Sequence, residues 1–212
     1  MQIIPASNSP FLSFGAVGTS QQPADGLLFN APNISVNALQ RVEFPIIASS
    51  TGMTVAFWMR KNISFADETA TNGGSPFYQW LMTTRPETET YFTTADCLPT
   101  QRPYHVNGTP RTGSLGAEAT GNGFNRIVIF IPGTINAGKL TMFSSPAATQ
   151  EMKNANLADV MIYTGAWTAA QLADINAGHA TNLIHRYTMA AGTTGNSVPD
   201  SLGNGAGVLI NF

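Results

Sequence analysis

The sequence predicts an all-β fold, a sandwich or a barrel of short antiparallel strands, with one short helix near residues 168–177. Three observations lead there. Short apolar runs recur along the chain, each bounded by turn residues. One of them alternates strictly, with Met53, Val55, Phe57 and Met59 on one face. The polarity between the runs comes from Ser, Thr, Asn and Gln together with 20 Gly and 13 Pro, while charged residues are only 10%. An average soluble protein carries ~25%, so the loops and surface here are neutral and hydrogen-bonding. With 212 residues the chain is one domain's length, since an all-β sandwich of ~200–250 residues is routinely a single unit.

Element by element, residues 1–25 read as an N-terminal arm. Pro5, Pro10 and Pro23 exclude a helix there, and Phe11, Leu12 and Phe14 give it an apolar face for a neighbouring subunit or for its own core. The domain proper is 26–212. Gly26–Phe29 is a first strand and Arg41–Ile47 a second, whose Pro45 places it at an edge or a bulge. Met53–Arg60 follows, with Trp58 on the face opposite Phe57. Phe77–Met82 and Tyr91–Thr93 come next. Arg126–Ile131 is a continuous apolar run stopped by Pro132-Gly133, the pattern of a strand buried on both faces. Lys139–Phe143, Leu157–Tyr163, Leu183–Met189 and Val208–Phe212 complete the strands. Thr168-Ala169-Ala170-Gln171 is a capping box, Leu172 and Ile175 share a helix face, and Gly178 is a left-handed stop.

Several function classes lose support at once. No stretch approaches ~18 apolar residues, so no membrane helix is expected. Ten Lys+Arg against twelve Asp+Glu, without a basic cluster, argue against nucleic acid as a partner. The single Cys97 excludes an internal disulfide and a redox pair. The N-terminal residues lack the basic and apolar regions of a secretory signal. The expectation is a chain made in a host cytoplasm that stays there, leaves by lysis, or leaves inside a particle.

At 156–172 the chain reads Asn-Leu-Ala-Asp-Val-Met-Ile-Tyr-Thr-Gly-Ala-Trp-Thr-Ala-Ala-Gln-Leu. This resembles the late strand and short helix of the concanavalin A-like, laminin-G-type jelly rolls. There a strand ends in Asp-x-x-x-Tyr and a turn leads into Leu-(Ser/Thr)-x-x-(Glu/Gln)-(Ile/Leu). Trp167 stands where that family has Leu. Met53–Met59, with its Phe57-Trp58 pair, is similar to the family's early strand. Leu183–Tyr187, Asp200 and Gly203-Asn204-Gly205 resemble the segment that usually opens such domains, here placed last, as in a permuted or exchanged element. The matches span roughly half the chain, and 61–125 matches poorly. The resemblance implies a two-sheet antiparallel jelly-roll sandwich. In it Trp58, Asp159, Tyr163, Trp167 and Asp200 specify the fold: Tyr163 and Trp167 pin the helix, and Asp159 needs partners if buried.

The chemistry-bearing residues are sparse. Some relatives in that superfamily are glucanases with carboxylates alternating along a strand, and retaining hydrolysis needs two carboxyl groups ~5–5.5 Å apart. Glu87-Thr88-Glu89 is the nearest candidate; Pro86 and the surrounding threonines make it an exposed loop. Asp67-Glu68 reads as solvated. His105, His179 and His185 form no metal-ligand spacing, and His179 is placed to favour a helix C-terminus. No catalytic residue, metal or cofactor is expected. A sugar site is conceivable from loop aromatics Tyr78, Tyr91 and Tyr104 beside Asn107, Asn122 and Asn125. The leading expectation is a non-enzymatic structural protein of a virus particle, in particular a phage. It would be a decoration or fibre-type module on the capsid or tail, partnered by other virion proteins and by copies of itself. The alternative is a carbohydrate-binding module or adhesin, with a glycan as ligand. A glycoside hydrolase is the reading the sequence favours least.

Overall fold

The computed structural model describes residues 22–23, 25–29, 40–61, 80–85, 91–93, 103–111, 123–143, 155–174, 179–189, 193 and 195–212. For residues 80–81, 83–85 and 91–93 it describes the backbone alone. The strands, in order, are β1 (Leu27–Phe29), β2 (Arg41–Ile46), β3 (Met53–Lys61), β4 (Trp80–Arg85), β5 (Tyr91–Thr93), β6 (Tyr104–Val106) and β7 (Thr109–Pro110). They continue with β8 (Asn125–Ile131), β9 (Gly138–Met142), β10 (Ala155–Thr164), β11 (Leu183–Tyr187), β12 (Ser197–Val198) and β13 (Gly207–Ile210). Among the described residues there is one helix, α1 (Ala169–Ala173), between β10 and β11.

These strands make two antiparallel sheets. The larger has the order β1-β10-β3-β8-β6-β7, with β11 also paired to β10. The smaller has the order β12-β13-β2-β9-β4-β5. The alternation in β3 decides which face is inside. Met53, Val55, Phe57 and Met59 enter the core between the sheets, against Val42, Phe44, Leu140, Met142 and Leu209 of the smaller sheet. Ile127, Ile129 and Ile131 of β8 and Leu157, Val160 and Ile162 of β10 fill the same layer. The outer face of the larger sheet is also covered. Trp58 packs with Phe124 and Ala158, and Ala56, Val128, Met161, Tyr163 and Trp167 form a second outer cluster. This is why β8 reads as apolar on both faces.

The boundaries differ from the sequence reading in instructive places. Pro45 does not mark an edge strand: β2 lies between β13 and β9. Its pairing with β13 covers only Arg41–Glu43, so the proline falls where β13 has ended. The missing N–H therefore disrupts no ladder bond on that side. Strand β4 runs over 80–85, later than the predicted 77–82. The β6–β7 hairpin was not anticipated. Its turn residues Asn107 and Gly108 have φ of 51° and 82°, the two positive values that a two-residue type I′ turn requires. The arm (1–25) falls almost wholly outside the described residues, as do Ile175 and Gly178. Gln22 Nε2 donates to the Phe124 carbonyl at 3.4 Å.

Candidate functional site on the outer face of the larger sheet

Strand β10 carries a bulge. Ala158 faces Trp58 and Met161 faces Ala56, so three steps of β10 match two of β3. The surplus backbone is taken up at Asp159, whose φ is 45°. On its other side, β10 pairs with β1 as far as Leu157 and with β11 from Val160 onward. Asp159 thus sits at the junction of two partner strands. An aspartate tolerates the left-handed conformation better than most residues, because its short polar side chain bonds locally. The bulge turns the carboxylate onto the outer face, where Arg186 Nε meets Oδ1 at 2.9 Å.

Arg126 reaches the same group from β8. Its guanidinium lies over the Trp58 ring, 5.5 Å from the centroid. Its Nη1 donates to the Asp159 carbonyl at 3.2 Å and stands 3.6 Å from Oδ2. Arg126 is fully buried, and its Nε and Nη2 have no acceptor. Burial pulls its pKa down to about 10 against the upward pull of Asp159. It remains a cation at neutral pH. Burial also lifts the nearby Tyr163 hydroxyl to about 12, and that hydroxyl donates to Met161 Sδ at 3.2 Å. The cluster is a buried ion pair shielded by an indole, and its chemistry is to hold β8, β10 and β11 in one register.

A second polar centre joins β11 to the turn before β13. Asp200 accepts from the backbone N–H groups of Arg186 (3.0 Å), Leu202 (3.0 Å) and Asn204 (3.1 Å). Its Oδ2 also meets His185 Nδ1 at 2.8 Å. Gly203 and Gly205, at φ of 76° and 139°, supply the positive angles of the turn. Asn204 contributes its side chain instead, donating to the Ile184 carbonyl at 2.7 Å. The His185 ring stacks on Tyr187, which stacks on Phe44 in the core. A histidine oriented by an aspartate is the geometry of a general base. Here His185 Nε2 is buried without a hydrogen-bond partner, so among the described residues no hydroxyl or thiol is bonded to it for activation. The pair clamps the turn.

The third feature is a cavity of about 110 Å³ between α1 and the sheet, lined by Thr54, Pro103, His105, Val128, Phe130, Ala166, Trp167 and Leu172. Its roof is built locally. Thr168 Oγ1 accepts from the Gln171 N–H at 3.2 Å, and the Gln171 side chain accepts from the Thr168 N–H at 2.8 Å. That capping box starts a helix of only five residues. Its far end is closed by His179 Nε2, which lies 2.8 Å from the Asp174 carbonyl. The Trp167 ring meets Tyr163 edge-on at 5.2 Å and His179 at 5.6 Å. Trp167 is buried, yet its indole Nε1–H has no acceptor. A shielded, unmade hydrogen bond of this kind costs about 1–3 kcal/mol. Burial holds His105, on the floor, below the ordinary histidine range, so its imidazole is neutral.

Of the sugar-site candidates, the side chains of Tyr104, Asn107 and Asn125 are described. Tyr104 is not a loop aromatic: it is 1% exposed, on β6, with its ring in the inter-sheet core, and offers no face to a ligand. Alternation of the sheet put it there, because its strand was missed in the sequence. Asn107 and Asn125 are engaged with each other, Nδ2 to Oδ1 at 2.9 Å. Asn107 Oδ1 also accepts from the Arg126 N–H at 2.8 Å, and Asn125 Nδ2 donates to the Gly123 carbonyl. Tyr78 and Asn122 lie outside the described residues, as do Glu87, Glu89, Asp67, Glu68 and Cys97, and Tyr91 is described by its backbone only. Among the described residues, no three His, Cys, Asp or Glu side chains group as a metal site would, and no helix is long and apolar enough to cross a membrane. The Arg126 cluster and the Trp167 cavity were not anticipated. Arg126 at the head of a doubly buried strand was the available signal for the first. No family model matches the chain, and neither a curated protein nor a solved structure matches it.

Proposed function

We propose that this chain is a non-enzymatic structural protein of a virus particle, a phage in particular, acting as a decoration or fibre-type module of jelly-roll ancestry. One observation carries the reading. Among the described residues, three carboxylates are consumed in internal contacts: Asp159 by Arg126 and Arg186, Asp200 by His185 and three N–H groups, Glu43 by Arg41 and Lys139. Large apolar side chains meanwhile face outward on strands: Leu28 on the edge strand β1, Val208 on β13, and Phe212 just beyond it, at 44%, 42% and 43% exposure. Symmetric association would cover such groups. A neutral, Thr- and Asn-rich surface suits a protein that works in an assembly rather than on a charged substrate.

Light scattering on the purified chain and mass spectrometry of purified particles test this. An oligomer, and the chain's presence in particles at defined stoichiometry, support it. A monomer at assembly concentrations that is missing from every particle overturns it.

A further inference from the structure

We infer that β1 is the strand through which two copies of this chain join their larger sheets, antiparallel and centred on Leu28. This pairing rests on the reading above that copies associate, and it names the seam. Hydrogen-bond direction decides which backbone groups are free for it. Along a strand, the N–H and C=O of one residue bond to one side and those of the next residue to the other. The Arg126 carbonyl accepts from the Asn107 N–H at 2.8 Å, and the Phe130 N–H donates to the Pro103 carbonyl at 3.0 Å, so the even-numbered residues of β8 face β6. Asn125, opposite Met59, and Ile127, opposite Phe57, therefore face β3. Met59 answers β8, which leaves Arg60 facing β10 opposite Asn156. Asn156 is thereby turned away from β1. Its cross-strand neighbour there is Leu28, so the Leu28 N–H and C=O point out of the sheet, while Leu27 and Phe29 bond Leu157 and Ala155. Among the described residues, neither outward group of Leu28 has a partner.

Leu28 is 44% exposed, so both groups are within reach of another chain. Toward the N-terminus the edge is closed by side chains: Asp25 Oδ1 takes the Gly26 N–H at 2.7 Å, and Asn156 Nδ2 donates to the Gly26 carbonyl at 3.1 Å. The opposite edge of the sheet, β7, ends in Pro110, which has no N–H to give. Sheets blunt their edges with proline and charge, and Gly26–Phe29 carries neither. A long foreign strand gains little here, because the next outward residue, Gly26, is already bonded. Leu28 of the partner subunit fits the opening: across a two-fold axis the two residues exchange both hydrogen bonds, and their side chains meet on the outer face.

Amide hydrogen exchange and light scattering over one concentration series test the pairing. The Leu28 amide should exchange freely in the dilute chain and slow about tenfold once most of the chain is associated. The Leu27 and Phe29 amides should stay protected throughout. Leu28→Lys sets like charges directly opposite each other across the axis, and Leu28→Glu does so with the other sign. Each variant alone should stay monomeric and keep the parent's thermal transition, because the side chain is exposed. An equimolar mixture of the two should associate. Four results overturn the pairing: an oligomer whose Leu28 amide stays fast, a Leu28→Lys chain that associates like the parent, a mixture that stays monomeric, or a parent chain monomeric throughout the series. In each of these the chain can still be present in purified particles, and it takes absence from every particle as well to remove the assembly reading.

Discussion

A carboxylate that compensates a buried arginine is worth more than the contact it makes, because removing it leaves a charge with neither water nor partner. Asp159→Asn keeps the shape and the left-handed backbone but removes the charge facing Arg126 and Arg186. It should lower the unfolding free energy by about 3–5 kcal/mol, read from the denaturant midpoint at constant slope. Arg126→Met removes the cation and its two unpaired donors together and should be close to neutral; a large loss there would show that the ion pair itself stabilises the sheet. Asp200 makes a pH-dependent case. Burial alone would raise its pKa, but the Arg186 and Leu202 N–H groups and the His185 ring outweigh burial and hold it below the usual aspartate value. A carboxyl depressed in the folded state stabilises above its unfolded pKa, about 3.9, and that contribution is lost as pH falls through the folded value. Asp200→Asn should therefore trail the parent by a full, constant margin above about pH 5, and the margin should shrink below about pH 4. A margin that stays flat through the acid range would contradict the assignment.

At the scale of elements, α1 is the weakest piece with the most to hold. Five residues cannot form a helix alone; the capping box at one end, His179 at the other, and the Trp167–Tyr163 contact keep it on the sheet. Thr168→Ala should cost about 1 kcal/mol. Hydrogen exchange at the Gln171 and Leu172 amides should speed up well before that of β3 or β10, because the opening is local. Equal acceleration across the sheet would mean that the helix unfolds only with the whole molecule. The bulge at Asp159 works in the opposite sense. It lets one side of β10 serve two partners, β1 and β11, and ties the C-terminal segment to the larger sheet before the chain crosses to β12 and β13 in the smaller one.

For the whole molecule, a single core runs between the sheets, from Phe29 at one edge strand to Leu209 near the C-terminus. Phe212 closes one end, edge-on to Phe29 at 5.0 Å, with much of its ring still exposed. Val208 points away from the core on the outer face of the smaller sheet, so a charge there should leave the fold intact. If copies of the chain associate through that surface, Val208→Lys, opposite Glu43 on β2, should shift the light-scattering mass toward the monomer while the thermal transition stays within a few degrees, since an exposed substitution changes stability by about 0.5 kcal/mol or less. An unchanged mass would place the contact elsewhere.

The alternation of Met53 to Met59, the doubly apolar run at 126–131 and the Thr168–Gln171 capping box were legible because each is a local pattern with a local cause. Side-chain period and hydrogen-bonding reach are properties of a few consecutive residues. The Asn107-Gly108 turn was equally local, and it would have revealed β6 and moved Tyr104 from a loop to the core. The meeting of Arg126 with Asp159 across β3, the clamp of His185 on Asp200, and the cavity between Trp167 and His105 were not legible in that way. Each joins residues from strands whose neighbours are chosen by the sheet order. The sequence by itself determined that this chain would bury its apolar faces in stacked antiparallel strands. Which polar groups would be buried together was decided by tertiary pairing, because the energy of a buried charge or an unpaired N–H depends on what lies within a few ångströms of it, wherever that partner stands in the chain.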